Sequence, residues 1–272
     1  MANQEEGIKI FTFYYKPGEI LVSNNVYVPV WAGKNGKKDD PLFIGDDSGD
    51  NISDKNKYYS ELSGIYWVWK NTDHEIIGTC HYRRYFTNVN EPFSYRVKRV
   101  LYFFAGLMGK RHGLIYTNNI NLWKPMILSR NEVIDILGHY DAILPAKRKL
   151  RQSIEQHYNK YHNPNDLILI RNILSEYYPS YLQSYKDVLN SNRLFANNMF
   201  ILKRKDFEEL MNWLFFILFR FEKKIDKDNY KGYQERIFGF LSERLVTVWI
   251  THNNINYKEL PLIYFKKLKK KQ

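Results

Sequence analysis

The residues most capable of chemistry stand in three short strings. The first is His81-Tyr82-Arg83-Arg84-Tyr85-Phe86, which follows the apolar run Glu75-Ile76-Ile77-Gly78-Thr79-Cys80. That run predicts a strand over 75–80, so the string leaves its carboxyl end, the edge at which open α/β sheets bind ligands. Were the strand to continue, His81 and Arg83 would share one face, and Tyr82 and Arg84 the other. A guanidinium fork matches phosphate oxygens, and an imidazole beside it adds a hydrogen bond or a proton. A diphosphate is the natural ligand; the competing reading is an ion-pair cluster in which Arg83 or Arg84 bridges a loop carboxylate.

The second string is the acidic loop Asp46-Asp47-Ser48-Gly49-Asp50-Asn51. Hard oxygen ligands on a Gly-bearing loop suit Mg²⁺ or Ca²⁺, which makes Asp46, Asp47 and Asp50 candidate metal ligands. A turn in which Asp and Asn bond their own backbone is an equal reading, and recognition of a ribose or base by Asp50 and Asn51 is a third. The third string lies near the C-terminus, where Gln234-Glu235-Arg236 and Ser242-Glu243-Arg244 fall on one expected helix. Arg236 and Glu243, seven residues apart, would share a face, and Gly239 would open space one turn before Glu243. Glu243 reads either as general base for an acceptor hydroxyl or as half of a buried Glu–Arg pair.

Elements must position these groups. Strands are expected at 8–14, 26–30, 75–80, 141–144 and 198–202. Apolar spacing at Leu62, Ile65, Tyr66 and Trp69 predicts a helix over 57–70 that carries Glu61 inward. Further helices are expected at 131–138, 152–161, 165–175, 205–224 and 233–252, with a long polar loop between Gly33 and Asp54. Alternating strands and helices predict an α/β fold, a single domain with a mixed central sheet flanked by helices.

Composition sets the outer bounds. The chain has 272 residues, 44% of them hydrophobic, enough for a sizeable core. Its single cysteine, Cys80, rules out an internal disulfide and a Cys-based metal module. No apolar run reaches spanning length and no signal-like segment opens the sequence, so a cytoplasmic protein is expected. Lys+Arg total 41 against 29 Asp+Glu, a formal charge of +12, which calls for an anionic partner. Lys266, Lys267, Lys269, Lys270 and Lys271 form a basic tail, so the main domain is expected over 1–260 and the tail over 261–272. A second basic group comprises Arg96, Lys98, Arg99, Lys110, Arg111 and His112. Beside it stand Leu101, Tyr102, Phe103, Phe104, Leu107 and Met108, a combination suited to an anionic bilayer. Phosphate-loop, dinucleotide, zinc-protease and serine-hydrolase motifs are all missing, and no nucleic-acid reader motif is present, so nucleic acid is not an expected partner.

A resemblance enters at Tyr59-Ser60-Glu61-Leu62-Ser63-Gly64-Ile65-Tyr66-Trp67-Val68-Trp69-Lys70-Asn71 and Ile77-Gly78-Thr79-Cys80-His81-Tyr82-Arg83-Arg84-Tyr85-Phe86. It extends through residues 45–53, Asn56, 197–201, 213–215 and 234–245. These strings resemble a family of bacterial glycosyltransferases from capsular and exopolysaccharide clusters, long catalogued as a domain of unknown function. The resemblance implies a GT-A fold and transfer of a hexose, galactose as a first guess, from a UDP-sugar to a lipid-linked saccharide at the inner membrane face. Many such folds hold a metal on an Asp-x-Asp, whereas the comparable strand here ends in His81-Tyr82-Arg83-Arg84. On this reading His81, Arg83 and Arg84 hold the diphosphate, or Asp46, Asp47 and Asp50 bring in Mg²⁺ or Mn²⁺. Asp50, Asn51 and Asn56 bind the nucleoside end. Glu61, Asn198 and Gln234, with Arg236, shape the donor pocket, while Glu243 and Arg83 serve catalysis. The reading from another class is a non-catalytic saccharide- or polyanion-binding protein.

Overall fold

The structure, a computed structural model, describes residues 7–104, 114–266 and 268. Leu107, Met108, Lys110, Arg111, His112 and the tail lysines 267 and 269–271 lie outside the described residues, as do the side chains of 96, 98, 99 and 102–104.

The chain opens with β1 (Ile8–Tyr14), β2 (Tyr27–Trp31) and the short β3 (Ile44–Gly45). Helices α1 (Asn56–Tyr59) and α2 (Leu62–Asn71) lead to β4 (Ile76–His81) and β5 (Arg84–Phe86). Then come α3 (Phe93–Phe104), β6 (Leu114–Thr117), α4 (Ile120–Trp123), α5 (Arg130–His139), β7 (Ala142–Pro145) and β8 (Arg148–Lys149). The helices α6 (Ile154–Tyr161), α7 (Pro164–Tyr177) and α8 (Leu182–Asn190) precede β9 (Arg193–Leu194) and β10 (Ile201–Lys203). The long α9 (Arg204–Lys224) and α10 (Ile237–His252) are followed by β11 (Tyr257–Leu260) and β12 (Leu262–Phe265). Local sequence starts several of these: Ser129 and Ser153 close capping boxes on α5 and α6, and Asn163 caps α7 with Pro164 in its first turn.

The main sheet runs β11-β7-β10-β4-β1-β2-β3, with β10 antiparallel to both its neighbours. From β1 the chain builds outward to β2 and β3, then crosses back to β4 on the other side of β1. The crevice outside the carboxyl ends of β1 and β4 is therefore a topological switch point. Period-2 alternation splits the core: Phe11, Phe13 and Ile77 face α2, α9 and α10, while Ile10, Cys80 and Ile201 face the other layer. Helix α2 is apolar all round because it is buried throughout Leu62–Trp69, with Trp69 stacked on Phe215 of α9 at 5.7 Å.

Several expectations need correction. The helix expected over 57–70 is two helices with a break at Ser60, whose φ of 52° no α-helix admits. The last helix begins at Ile237 rather than Tyr233, because Gly232–Arg236 winds as 3₁₀. Asn198 lies before, not within, the strand at Ile201–Lys203. The long loop after Gly33 holds β3, which adds an edge strand beside β2. Beyond residue 260, β12 pairs with both β5 and β6 and buries Ile263 and Phe265, so the sheet continues into the segment expected as tail.

Candidate active site

Two backbone irregularities build the site. Asn56 donates its side-chain amide to the Ser60 carbonyl at 2.7 Å and to Ser63 Oγ at 2.9 Å, closing the turn between α1 and α2. Tyr59 stacks on Phe238 at 4.1 Å, which fixes this turn against α10. Glu61 is thereby held at the start of α2. The second irregularity is Asn197-Asn198, with φ of 79° and 48°, a conformation that asparagine tolerates better than most residues. Glu243 Oε1 accepts the Asn197 N–H at 2.7 Å and so pins this turn.

These turns meet. Asn198 Nδ2 donates to Glu61 Oε1 at 2.8 Å and to the Gly239 carbonyl at 3.2 Å, while its Oδ1 is buried with no hydrogen-bond partner. Arg236 donates Nε to Ser60 Oγ at 3.0 Å and approaches Glu61 Oε2 at 3.4 Å. The Glu61 side chain keeps 10% of its surface exposed. A Cβ built on Gly239 would stand 3.9 Å from Glu61 Oε1, so this glycine lies over Glu61, not over Glu243 as expected.

His81 ends β4 on the face shared by Ile77, toward α2. The β10–β4 register, Ile201 opposite Gly78, runs on to bring the 197–198 turn beside His81, and His81 Nε2 lies 2.6 Å from the Asn197 carbonyl. A carbonyl only accepts, so Nε2 carries the proton, and in the neutral ring Nδ1 keeps its lone pair. Burial pushes the imidazole below its usual range; Glu61 pulls the other way, and the charges of Arg84 and Arg236 add to the depression. Burial works to raise the Glu61 carboxyl, but His81, Arg236 and the Asn198 amide outweigh it and hold the group below the usual carboxylate range. At neutral pH the site thus holds a carboxylate beside a neutral imidazole.

The strand does not run through His81-Tyr82-Arg83-Arg84. It turns at Tyr82-Arg83 and returns as β5, with His81 opposite Arg84, so the pair sharing a face is His81 and Arg84 rather than His81 and Arg83. Arg83 lies over the Tyr82 ring at 4.9 Å and donates to the Lys266 carbonyl at 3.1 Å, and Arg84 lies over Tyr264 at 5.3 Å. Neither pairs with a carboxylate among the described residues, and the Nε of each is buried without a partner. The ion-pair reading of this string therefore fails.

Other expected site residues stand elsewhere. Asp46 is fully buried and takes hydrogen bonds from the Gly33 and Lys34 N–H groups and from Ser53 and Ser63 hydroxyls. Asp47 pairs with Lys34 at 2.8 Å, and Asp50 accepts from Tyr66 OH at 3.0 Å. With its strongest acceptors satisfied by protein donors, this loop does not fit Mg²⁺ or Mn²⁺, and no group of three potential ligands occurs among the described residues. Asn51 bonds the Gly49 carbonyl and the Ser53 N–H. Asp50 lies against Asn71 at the far end of α2, about 15 Å along the helix from Glu61, so neither Asp50 nor Asn51 joins the site. Gln234 is held by His162 Nδ1 and the Tyr161 carbonyl, both at 2.8 Å, and faces α6 rather than the Glu61 pocket. Glu243 spends its second oxygen on Arg244 at 3.1 Å, the buried pair named as its alternative.

The sequence matches, over residues 9–254, the family described as "Domain of unknown function (DUF4422)". The chain belongs to the DUF4422 family. No sequence among curated proteins matches it. The apo structure of the bifunctional glycosyltransferase WbbM is similar to this DUF4422 chain with a TM-score of 0.83 and 25% identity, over 97% of this chain. The chain spans 46% of WbbM's length. The fold is GT-A-like, a single mixed sheet flanked by helices. Among the described residues of this DUF4422 chain, no helix is long and apolar enough to cross a membrane.

Sequence reading of this DUF4422 site missed Ser60 and Asn197, and set Gly239 beside Glu243 instead of Glu61. Asn197-Asn198 carried a usable signal, since adjacent asparagines favour left-handed turns; Ser60 carried none. It also missed an aromatic wall at the carboxyl ends of β1 and β2, where Tyr14 meets Phe43 at 4.9 Å and Tyr82 at 5.7 Å, and Tyr15 meets Tyr82 at 5.6 Å.

Proposed function

We propose that this chain is a nucleotide-sugar-dependent hexosyltransferase, moving a hexose, galactose as first choice, from a UDP-sugar to a lipid-linked saccharide at the inner membrane face in capsular, exopolysaccharide or O-antigen biosynthesis. The observation that carries it is two arginines with no carboxylate partner among the described residues, on the hairpin at the β1/β4 switch point, beside a charged Glu61. In this reading Arg83 and Arg84 receive the donor diphosphate. Breaking the sugar–phosphate bond gathers negative charge on the departing diphosphate, and fixed cations there lower the barrier. The uracil and ribose lie against Tyr15 and Tyr82, which rest on the buried Tyr14 ring, in place of the distant Asp50 and Asn51. The hexose reaches toward Glu61 and Asn198, whose unmatched Oδ1 is an acceptor for a sugar hydroxyl. Arg236 closes the rim.

The test is binding of UDP, GDP and CMP with and without EDTA, followed by hydrolysis of UDP-hexoses. Selective UDP binding that survives EDTA supports diphosphate capture by the arginines. Loss of binding with EDTA places a metal beside the diphosphate on ligands other than the Asp46–Asp50 loop. Absence of nucleotide binding under both conditions overturns the reading in favour of a non-catalytic saccharide-binding protein.

A further inference from the structure

Exposed apolar side chains form a stripe on one helix. Helix α3 carries Phe93, Val97, Val100 and Leu101 at 80%, 39%, 43% and 62% exposure. Their spacing of four, three and one residues places all four on a single stripe of the helix. Tyr95 points the other way: it packs on the core beneath, and its hydroxyl accepts from Trp123 Nε1 at 3.2 Å. That bond brings α4 alongside α3; Leu122 on α4 and Met126 in the turn that follows it are 52% and 40% exposed. Contiguous exposed apolar surface rimmed by polar residues marks protein or membrane interaction sites.

The patch adjoins the arginine hairpin. Arg84, Tyr264 and Tyr116 lie in one row across β5, β12 and β6, two strand spacings or about 10 Å wide. Thr117 ends β6 one residue beyond that row, and α4 starts at Ile120. The sequence of α3 includes Arg96, Lys98 and Arg99, Lys124 is exposed between Leu122 and Met126, and the chain carries a formal +12. An apolar stripe on a helix of basic sequence matches an anionic lipid surface, which offers acyl chains and negative headgroups together.

We infer that α3 and α4 form a docking face that lies flat on an anionic bilayer, with Phe93, Val97, Val100, Leu101, Leu122 and Met126 entering the headgroup boundary. This face goes beyond the transfer reaction and stands whether or not the edge beside it moves a sugar.

The test is flotation of the purified full chain with vesicles of phosphatidylcholine alone and of equimolar phosphatidylcholine and phosphatidylglycerol. The expected result is flotation with the anionic vesicles, weakened by salt. Phe93→Asp combined with Leu101→Asp should lower vesicle affinity by about tenfold or more, the equivalent of losing one buried large side chain. Thermal melting should be unchanged because both side chains are exposed; if that variant melts early, Lys124→Glu takes its place, with a smaller loss expected. Wild-type protein that stays with the free fraction, or variants that float like wild type, overturn the inference. So does light scattering that shows a wild-type dimer which the aspartates dissociate, since the stripe would then cover a second copy of the chain. None of these readouts depends on nucleotide binding.

Discussion

Glu243 and Asn197 are joined at 2.7 Å, and the carbonyl of that same Asn197 accepts from His81 at 2.6 Å. The carboxylate on α10 therefore sets the tautomer of a histidine on β4 through one strained residue. This makes Glu243 a positioning residue, and its variants should divide accordingly. Glu243→Gln keeps an oxygen for the Asn197 N–H, so turnover should stay within a few-fold of wild type. Glu243→Ala strips the turn of its acceptor and leaves Arg244, whose side chain is 5% exposed, without its partner, a loss on the order of 3–5 kcal/mol in stability. If Glu243→Gln instead cost about 10²–10⁴ in turnover at unchanged stability, Glu243 would be the general base.

The arginines should behave differently from each other. Alanine at either position should lower transfer by about 10²–10³-fold, as loss of one preorganised cation does. Only Arg84→Ala should also move His81. Arg84 faces His81 across the hairpin and its charge depresses the imidazole, so removing it should raise the His81 pKa. Titrating the His81 ring by NMR in both variants checks this. An equal response to Arg83→Ala would show that the two side chains are not distinguished as the hairpin register requires.

Much of this fold was legible because its elements are amphipathic or wholly apolar. Strands 8–14 and 75–80 and helix 205–224 carry their own hydrophobic period. The candidate site was harder to read because it is made of breaks in that period. Ser60 interrupts an apolar pattern that runs through residues 57–70 without a gap, and no local preference of serine announces a left-handed backbone. The hairpin at Tyr82-Arg83 lacks the Gly or Asn that marks a tight turn, so periodic strand logic paired the wrong residues. Asp46 reads as a metal ligand in sequence because its four hydrogen-bond donors come from two separate segments, near 33 and 53–63.

Acid should destabilise the folded chain well above the carboxylate range. His157 is held down to about 4 by burial and by the charges of Arg244 and Arg148, and His81 is depressed as well. An unfolded chain takes up protons at these rings near the ordinary 6.5, which the folded chain refuses until lower pH. Their penalty is therefore absent above that value, grows as pH falls toward 4, and is complete below the folded values. Glu61, held below its ordinary value, adds to the loss further down, once the unfolded carboxyl protonates. Melting temperatures measured from pH 8 to pH 4 should fall steadily, and His157→Asn should flatten the upper part of the curve. An identical slope in that variant would mean that His157 titrates normally in the fold.

Gly33 and Gly36 offer a controlled comparison of backbone strain with contact. Both hold positive φ, 73° and 71°, so alanine at either costs about 1–2 kcal/mol for the left-handed backbone. A Cβ at Gly36 meets nothing within 4 Å, whereas at Gly33 it would fall 2.4 Å from Cγ of Asn56. Asn56 is the residue that closes the Ser60 turn and so sets Glu61, and the Gly33 N–H itself donates to buried Asp46. Gly33→Ala should therefore cost at least about 1 kcal/mol more than Gly36→Ala in urea unfolding, and it alone should impair transfer, because displacing Asn56 displaces Glu61. Equal stability losses with equal activities would disconnect Asn56 from the site and leave the Ser60 turn held by the Tyr59–Phe238 stack and the Arg236–Ser60 bond.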